Sequence, residues 1–536
     1  MNLRWPHLRL AAPDGLGQRA WPGLLVLVVA VLVVYAPSLR GGFLDYDDPW
    51  LIAQNPVLRE PSLQHLWSIW SDFSRAARLS LGAEYLPVRD TSVWLDSLCD
   101  GLEPHAMRCV NLACYVGALA LLRGALQRAW GKSWRVELAM LVFALHPLHV
   151  ESVAWLAGRK DVLALLFVSA ALFVHAGHSR LRALWAPVLL VLAYLSKAQS
   201  AIAIALLAAH DLLAERKPDW RVYAGTTVTA AMAALLHTQV GKLVGMTTAL
   251  AGGNRVNAFF TSGEITARYL RKLVWPTHLS IVYDVPVQTH VTPAFLLGVG
   301  LLLTLLSFGL LLWRRRKTPV PLAAWLWLVA PLVPVSQVLF PLQNRMADRY
   351  LIFSVMALGL LGTCVLGRAL LVAPRLATLA TCGLLVALAA ATFQRSWLFG
   401  DSALLFEQAT RSTTYSPTAP YLLGNTLEER GDVGGAERAY REVLRRSPAA
   451  NESARRATNN LARLYARQAR NAEAYALLVR GRTLWPQDPK VLYNLAMITA
   501  RRGDKPEADR LLGELRQRFP NYRPGQRSPE DFYRAP

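Results

Sequence analysis

Apolar runs close to the roughly 20 residues needed to cross a bilayer recur along the first three quarters of the chain. They lie at about 21–39, 106–126, 135–148, 161–178, 182–196, 199–214, 222–245, 291–313, 319–341, 349–372 and 376–395, and predict about eleven membrane spans. The first run follows Arg4, Arg9 and Arg19, and its small-residue exit, Val34-Tyr35-Ala36, leads straight into Pro37. A retained helix with a cytoplasmic N-terminus is expected, rather than a cleaved signal peptide.

That orientation requires every second loop to be basic. These loops carry Arg123, Arg128, Lys132 and Arg135, then Arg180 and Arg182, then Arg216, Lys217 and Arg221, then Arg314, Arg315, Arg316 and Lys317, then Arg368 and Arg375. With the N-terminal three they make 18 basic residues against Asp14, Glu215 and Asp219. Segment 40–105, on the other side, has five arginines and ten acidic residues. Eleven spans then place the C-terminus outside, in a periplasm-like or lumenal space.

From about residue 402 the apolar runs stop and a repeat begins. Gly424, Leu427, Gly431, Ala436, Tyr440 and Pro448 fall at offsets 0, 3, 7, 12, 16 and 24, where a tetratricopeptide repeat needs small packing residues, an aromatic wedge and a closing proline. Ala462, Tyr465, Ala469, Ala474, Leu478 and Pro486 reproduce these offsets, as do Ala496, Gly503, Ala508, Leu512 and Pro520. The expected organisation is a transmembrane domain over 1–400 with an outer loop at 40–105, three repeats over 401–522 and a polar tail at 523–536. The fold class is all-α: a polytopic helical bundle followed by an α-solenoid.

Composition narrows the function classes. The chain has 536 residues, 53% of them hydrophobic and 18% charged, which excludes a disordered polybasic protein and speaks against an ordinary soluble enzyme. Its net charge of +22 divides unevenly, because residues 401–536 hold 23 basic and 16 acidic residues and the membrane portion holds the rest of the excess. Topology and contact with anionic lipid account for the cytoplasmic share, so no nucleic-acid partner is required. The five cysteines (Cys99, Cys109, Cys114, Cys364, Cys382) have no paired spacing and read as packing residues.

Several clusters can carry chemistry. Phe43-Leu44-Asp45-Tyr46-Asp47-Asp48-Pro49 crowds carboxylates just outside the first span, where mutual repulsion raises a pKa and can leave a base near neutrality; a cation site or a solvated turn are the alternatives. His146-Pro147-Leu148-His149-Val150-Glu151 precedes Gly158-Arg159-Lys160-Asp161. A divalent metal on the two histidines and Glu151 is conceivable, but the spacing matches no zinc signature, so no metal ligands and no cofactor are assigned. Arg159 and Lys160, on the outer side, break the charge bias and suggest a phosphate partner such as a lipid headgroup. Lys197, Arg345 and Arg349 lie on the same side and could surround a phosphate leaving group while the carboxylates receive a proton. His175, His178, His210 and His237 read as isolated, and the 17 tryptophans fit an interfacial belt or sugar stacking.

Together these motifs resemble the transmembrane and tetratricopeptide-repeat O-mannosyltransferase family and its bacterial relatives, among the GT-C glycosyltransferases. The resemblance rests on Asp47-Asp48 after the first helix, the His-Pro-x-His-x-Glu…Gly-Arg-x-Asp block, the Ser196-Lys197 turn, the segment at 268–284, Asp348-Arg349-Tyr350-Leu351 and the terminal repeats. It implies an integral protein of a bacterial inner membrane, built on a GT-C-type bundle with periplasmic repeats. The implied activity is transfer of a sugar from a polyprenyl-phosphate carrier to a hydroxyl, of a protein Ser or Thr, on the non-cytoplasmic face. It assigns Asp47 as base with Asp48 beside it, and donor or acceptor binding to His146, His149, Glu151, Arg159, Asp161, Lys197, Arg268, Tyr283, Asp284, Arg349 and Tyr350. Its partners would be the bilayer, the polyprenyl-phosphate sugar and an exported protein or peptide bound by the repeats. The chain departs from the family pattern at Ala198, where relatives often have Glu, and at Asp348, which replaces a usual Glu. A non-catalytic membrane scaffold that uses the repeats to recruit exported proteins is the competing class.

Overall fold

The structure is a computed structural model that describes residues 20–245, 249–316, 318–447 and 451–524. Arg4, Arg9, Asp14, Arg19, Lys317, Pro448 and most of the polar tail lie outside the described residues. All regular secondary structure among the described residues is helical, with no strand. α1 (Ala20–Tyr35) leads into the outer loop, which holds three short helices, α2 (Pro56–Arg59), α3 (Leu63–Ser71) and α4 (Arg75–Ser80), and a longer one, α5 (Pro87–Asp100). Then follow α6 (Pro104–Trp130), α7 (Trp134–Ala144), α8 (Val150–Ala154), α9 (Arg159–His175), α10 (Arg182–Ser196), α11 (Ala203–Leu213) and α12 (Trp220–Val244). The body closes with α13 (Arg255–Val274), α14 (Pro293–Arg316), α15 (Val320–Val329), α16 (Met356–Val372) and α17 (Pro374–Leu398).

Each of the eleven apolar stretches overlaps one of these helices, in several cases only in part: 319–341 meets α15 over Val320–Val329 alone. Four helical segments, Pro22–Arg40, Pro104–Trp130, Pro293–Arg315 and Pro374–Leu398, are long and apolar enough to cross a membrane by themselves. A fifth forms if the bent pair around His146, with its 50° break, is one span. The others are shorter, as at Arg182–Ser196, Ala198–Leu213, Val320–Leu332 and Met356–Val372, or less apolar. Pro147 lacks the N–H that would continue α7, and the His146 ring caps the new turn by accepting from the Leu148 N–H at 3.3 Å.

Packing in the body depends on small residues, since lipid supplies no hydrophobic drive between helices. α9 packs on α6 and α10, and α16 on α7 and α15. A Cβ on Gly359 of α16 would lie 2.6 Å from the backbone oxygen of Ala139 in α7, whereas one on Gly362 would meet nothing within 4 Å. Gly359→Leu is therefore expected to abolish the monodisperse folded peak in size-exclusion chromatography of detergent-extracted protein. Gly362→Leu should keep it, and equal behaviour of the two variants would show that the close approach does not matter.

α18 (Ser402–Ser412), α19 (Thr418–Glu429), α20 (Val433–Arg446), α21 (Glu452–Arg467), α22 (Asn471–Leu484), α23 (Pro489–Arg501) and α24 (Lys505–Arg518) follow, each packed on the next. The apolar core of the body continues past residue 400 into Leu405, Phe406, Ala409, Ala419 and Leu422. A second core runs from Tyr421 to Leu515. The helical array is fixed against the same end of the body as the outer loop. Thr426 donates to the Asp45 carboxylate at 2.9 Å, and Gln408 reaches the Leu279 carbonyl at 2.8 Å.

All five cysteines are free. Cys114 and Cys364 are half-buried packing residues, but Cys99, Cys109 and Cys382 are exposed, which corrects the packing assignment for those three. Two of them, Cys109 and Cys382, sit on outward faces of the long helices α6 and α17, where lipid rather than protein can meet an apolar thiol.

Candidate active site

Asp48 holds the outer loop in place. It is fully buried, and its carboxylate accepts from the Leu44 N–H at 2.9 Å and, across 109 residues, from the Ala157 N–H at 3.0 Å. Burial pushes its carboxyl up to about 7, against the Leu44 N–H, Arg108 and the Ala157 N–H, with Asp47 pushing the same way as burial. Arg108 secures the loop from the other side by donating to the carbonyls of Gly41, Gly42 and Ala154. The loop therefore returns onto the turn at 155–158, and Tyr46 lies against Trp155 with ring centroids 5.7 Å apart.

That return puts half-buried Asp47 among charges drawn from distant parts of the chain. Burial raises the Asp47 carboxyl above the usual aspartate range, opposed by Arg349, Lys160 and the Trp50 indole and reinforced by Glu84. Each of the three cations nearby is tied to a carboxylate. Arg349 pairs with Glu151, whose other oxygen accepts the Arg349 N–H at 3.3 Å. Lys197 pairs with Asp161, and Lys160 with Glu84 at 2.7 Å. Lys160 and Arg89 outweigh burial at Glu84 and hold its carboxyl at about 2. Trp155 and Tyr350 flank the Arg349 guanidinium at 5.4 and 5.3 Å, and the Tyr350 ring also faces the Lys197 ammonium at 5.8 Å. Among the described residues Asp47 forms no ion pair of its own, so it is the carboxylate of this group best placed to take up a proton.

The other sequence candidates serve this arrangement from outside it. His146 and His149 are buried with both ring nitrogens engaged: His146 with Leu148 and the Leu273 carbonyl at 3.0 Å, His149 with the Tyr115 hydroxyl at 2.7 Å and the Ile352 carbonyl at 3.0 Å. They brace the broken helix and the Asp348–Leu351 turn, and so set Glu151 opposite Arg349. This geometry gives the metal alternative at the two histidines no lone pair to use. Arg159 departs from the phosphate expectation as well. Its guanidinium is buried and donates to Asn111, to Ser92, to Asp96 at 2.7 Å and to the Met107 carbonyl at 2.9 Å, which makes it a clamp joining α9 to α5 and α6.

Arg268, Tyr283 and Asp284 form a separate buttress. Arg268 bonds Glu264 and the Asp284 carbonyl, and the Tyr283 hydroxyl donates to Asp348, next to Arg349. The Asp284 carboxylate accepts from the N–H groups of Thr414 and Tyr415 at 2.8 and 2.9 Å, tying the body to the C-terminal helices. Arg345 donates to the Val285 carbonyl.

Sequence reasoning quoted Tyr46 only as part of the acidic cluster and missed Glu84, Arg108 and Asn111. Lone residues within a loop or a span, they carry no pattern that would single them out. It also treated His175 and His210 as isolated, whereas both approach Asp211, at 2.7 and 3.8 Å. These three are the single group of metal-type ligands close together among the described residues, and it belongs to the basic end of the bundle. Arg216 occupies that place, 3.0 Å from the Asp211 carboxylate, and neutralises it without an ion.

Comparison with known proteins places these residues in context. No protein-family model matches the chain. Over 444 residues, 79% of this chain, it is 24% identical to protein O-mannosyl-transferase F38B6.6 of Caenorhabditis elegans and covers 63% of that protein. A stretch of 151 residues, 27% of the chain, is 35% identical to protein O-mannosyl-transferase TMTC1 of Mus musculus, of which it covers 16%. Among solved structures, the apo Archaeoglobus fulgidus oligosaccharyltransferase aligns with a TM-score of 0.40 and 12% identity, covering 79% of this chain and 60% of that one. The chain thus spans less than two thirds of the length of these relatives. Its resemblance to the protein O-mannosyl-transferases extends from single motifs to 79% of the chain.

Proposed function

We propose that this protein is a membrane glycosyltransferase of GT-C type that moves a sugar from a polyprenyl-phosphate carrier to a Ser or Thr hydroxyl of an exported protein. The reaction takes place on the periplasmic face of a bacterial inner membrane, with eleven spans below it and tetratricopeptide-type repeats above. The observation that carries this reading is Asp47: a half-buried carboxylate with a raised pKa, held by Asp48 beside Arg349 and Lys160. The names of the sequence relatives, which are protein O-mannosyl-transferases, point the same way.

In the proposed step Asp47 accepts the hydroxyl proton as the acceptor oxygen attacks the anomeric carbon. The bond from that carbon to the carrier phosphate breaks, the phosphate leaves with the electron pair, and the anomeric centre inverts. Arg349, Lys160 and Lys197 stabilise the departing phosphate. Because Glu151, Glu84 and Asp161 already neutralise them, the phosphate adds to a balanced group and does not fill a bare cationic hole; the carboxylates keep the cations oriented between turnovers. Asp48, His146, His149, Arg159, Tyr283 and Asp284 position these groups.

A deletion strain complemented with the wild-type gene or with Asp47→Asn tests the reading by glycoproteomics of exported proteins. Loss of a protein-linked sugar in the deletion, restored by wild type only, is expected. Loss of a protein complex with no change in any sugar would favour the scaffold class.

A further inference from the structure

Lys160 stands at the start of α9, beside Asp47; the other end of that helix holds a buried polar group that the transfer step does not use. His175 is the last residue of α9, and His210 and Asp211 are neighbours on α11, all three buried. We infer that these three side chains bind a divalent transition ion of the Zn²⁺ class, which locks α9 to α11 and competes with the Arg216 guanidinium for the same place.

The hydrogen positions carry the argument. His210 Nε2 lies 3.3 Å from the Ala125 carbonyl, which can only accept, so Nε2 holds the proton and Nδ1 presents a lone pair. That lone pair faces a second acceptor, the Asp211 carboxylate, at 3.8 Å. At His175, Nε2 is 2.7 Å from the same carboxylate and 2.8 Å from a nitrogen of Arg216. A proton on this Nε2 suits the carboxylate and opposes the guanidinium, and a lone pair does the reverse. Nδ1 of both rings is buried with no hydrogen-bond partner among the described residues. Arg216 thus balances the charge of Asp211 but satisfies His175 only in part, and buried polar groups are rarely left in that condition.

A metal ion takes lone pairs from all three side chains at once. Their ligand atoms lie within 4.8 Å of one another. Two imidazoles and one carboxylate suit Zn²⁺ and its transition-metal neighbours, whereas Mg²⁺ and Ca²⁺ take oxygen ligands. The groups behind the ligands are those a metal site uses: the Ala125 carbonyl fixes the His210 ring, and the Tyr223 hydroxyl donates to the other Asp211 oxygen at 3.0 Å. A pocket of about 530 Å³, lined by His210, Arg216 and the exposed His178, opens beside them. It gives the ion a way in and the displaced guanidinium, already 24% exposed, room to turn outward.

The test is a Zn²⁺ titration of the full-length, untagged protein in nanodiscs, read by competition with a chelating dye. One Zn²⁺ per chain is expected, and His175→Ala and His210→Ala should each weaken it at least about tenfold. Arg216→Met removes the competing cation and should tighten binding at least about tenfold. It also leaves Asp211 buried without that cation, so its unfolding temperature should fall and Zn²⁺ should restore it. X-ray absorption at the zinc edge of the wild-type protein needs no variant and should show imidazole and oxygen ligands only. A wild-type protein that binds no Zn²⁺ would overturn the inference, and so would Arg216→Met binding it no more tightly than wild type. Sulfur in the zinc shell, or binding lost in His105→Ala, would also overturn it by giving the ion to the exposed His105–Cys109 pair, whose side chains meet at 3.8 Å.

Discussion

Asp47→Asn is expected to lower sugar transfer by about 100- to 10,000-fold, the range a positioned general base supplies, while leaving membrane insertion and the folded yield unchanged. The substitution keeps size and hydrogen bonding but removes the group that accepts the proton. Transfer from a synthetic polyprenyl-phosphate sugar to a Ser-containing peptide measures it. The pH dependence sharpens the assignment. Burial holds the Asp47 carboxyl above the usual aspartate range, and the base works only when ionised. The wild-type rate should therefore fall as the pH is lowered through that raised value, and the Asn variant's residual rate should lack this acid limb. Asp48→Asn provides the contrast. Both Asp48 oxygens accept backbone N–H groups, so an amide there turns an N–H toward one of those donors and costs about 1–3 kcal/mol of stability. That variant should be less stable but keep the acid limb. If instead the limb survives in Asp47→Asn and vanishes in Asp48→Asn, the base is Asp48.

The contrast between these neighbours shows what a sequence can and cannot convey. Hydropathy is a continuous local property and so marks apolar helices, and the offsets around Gly424 and Tyr440 are local in the same way. Gly424 is small because the Tyr440 ring would lie 2.6 Å from a Cβ there. Partnership is not local. Glu151 and Arg349 are 198 residues apart, and Asp48 reaches Ala157 across 109. Arg159 shows the same limit: as a bare cation on the outer side it suggests a phosphate ligand, but a buried guanidinium must be satisfied, and Asn111, Ser92, Asp96 and Met107 satisfy it inside the protein. Nothing in the loop around Glu84 announces that it holds Lys160. The residue types at the site were legible, but which of them face an open space was not.

Removing either partner of the Glu151–Arg349 pair is expected to destabilise the protein by about 3–5 kcal/mol, because it leaves the other charge buried and uncompensated. Glu151 is 1% exposed and Arg349 7%. Arg349→Met should be worse than Glu151→Gln, since Arg349 without its carboxylate keeps the faces of Trp155 and Tyr350, whereas Glu151 keeps only the Arg349 N–H. The double variant Glu151→Leu with Arg349→Met removes both charges at similar volume, and replacing a buried pair in this way is often neutral. Thermal unfolding in nanodiscs should therefore show two destabilised single variants and a double variant near wild type, which gives a favourable coupling energy between the positions. Transfer should not follow stability. The double variant is expected to remain inactive, because the cation that meets the leaving phosphate is gone even though the fold has recovered. Recovery of transfer together with stability would assign the pair to the fold alone and leave Lys160 and Lys197 as the groups that stabilise the phosphate.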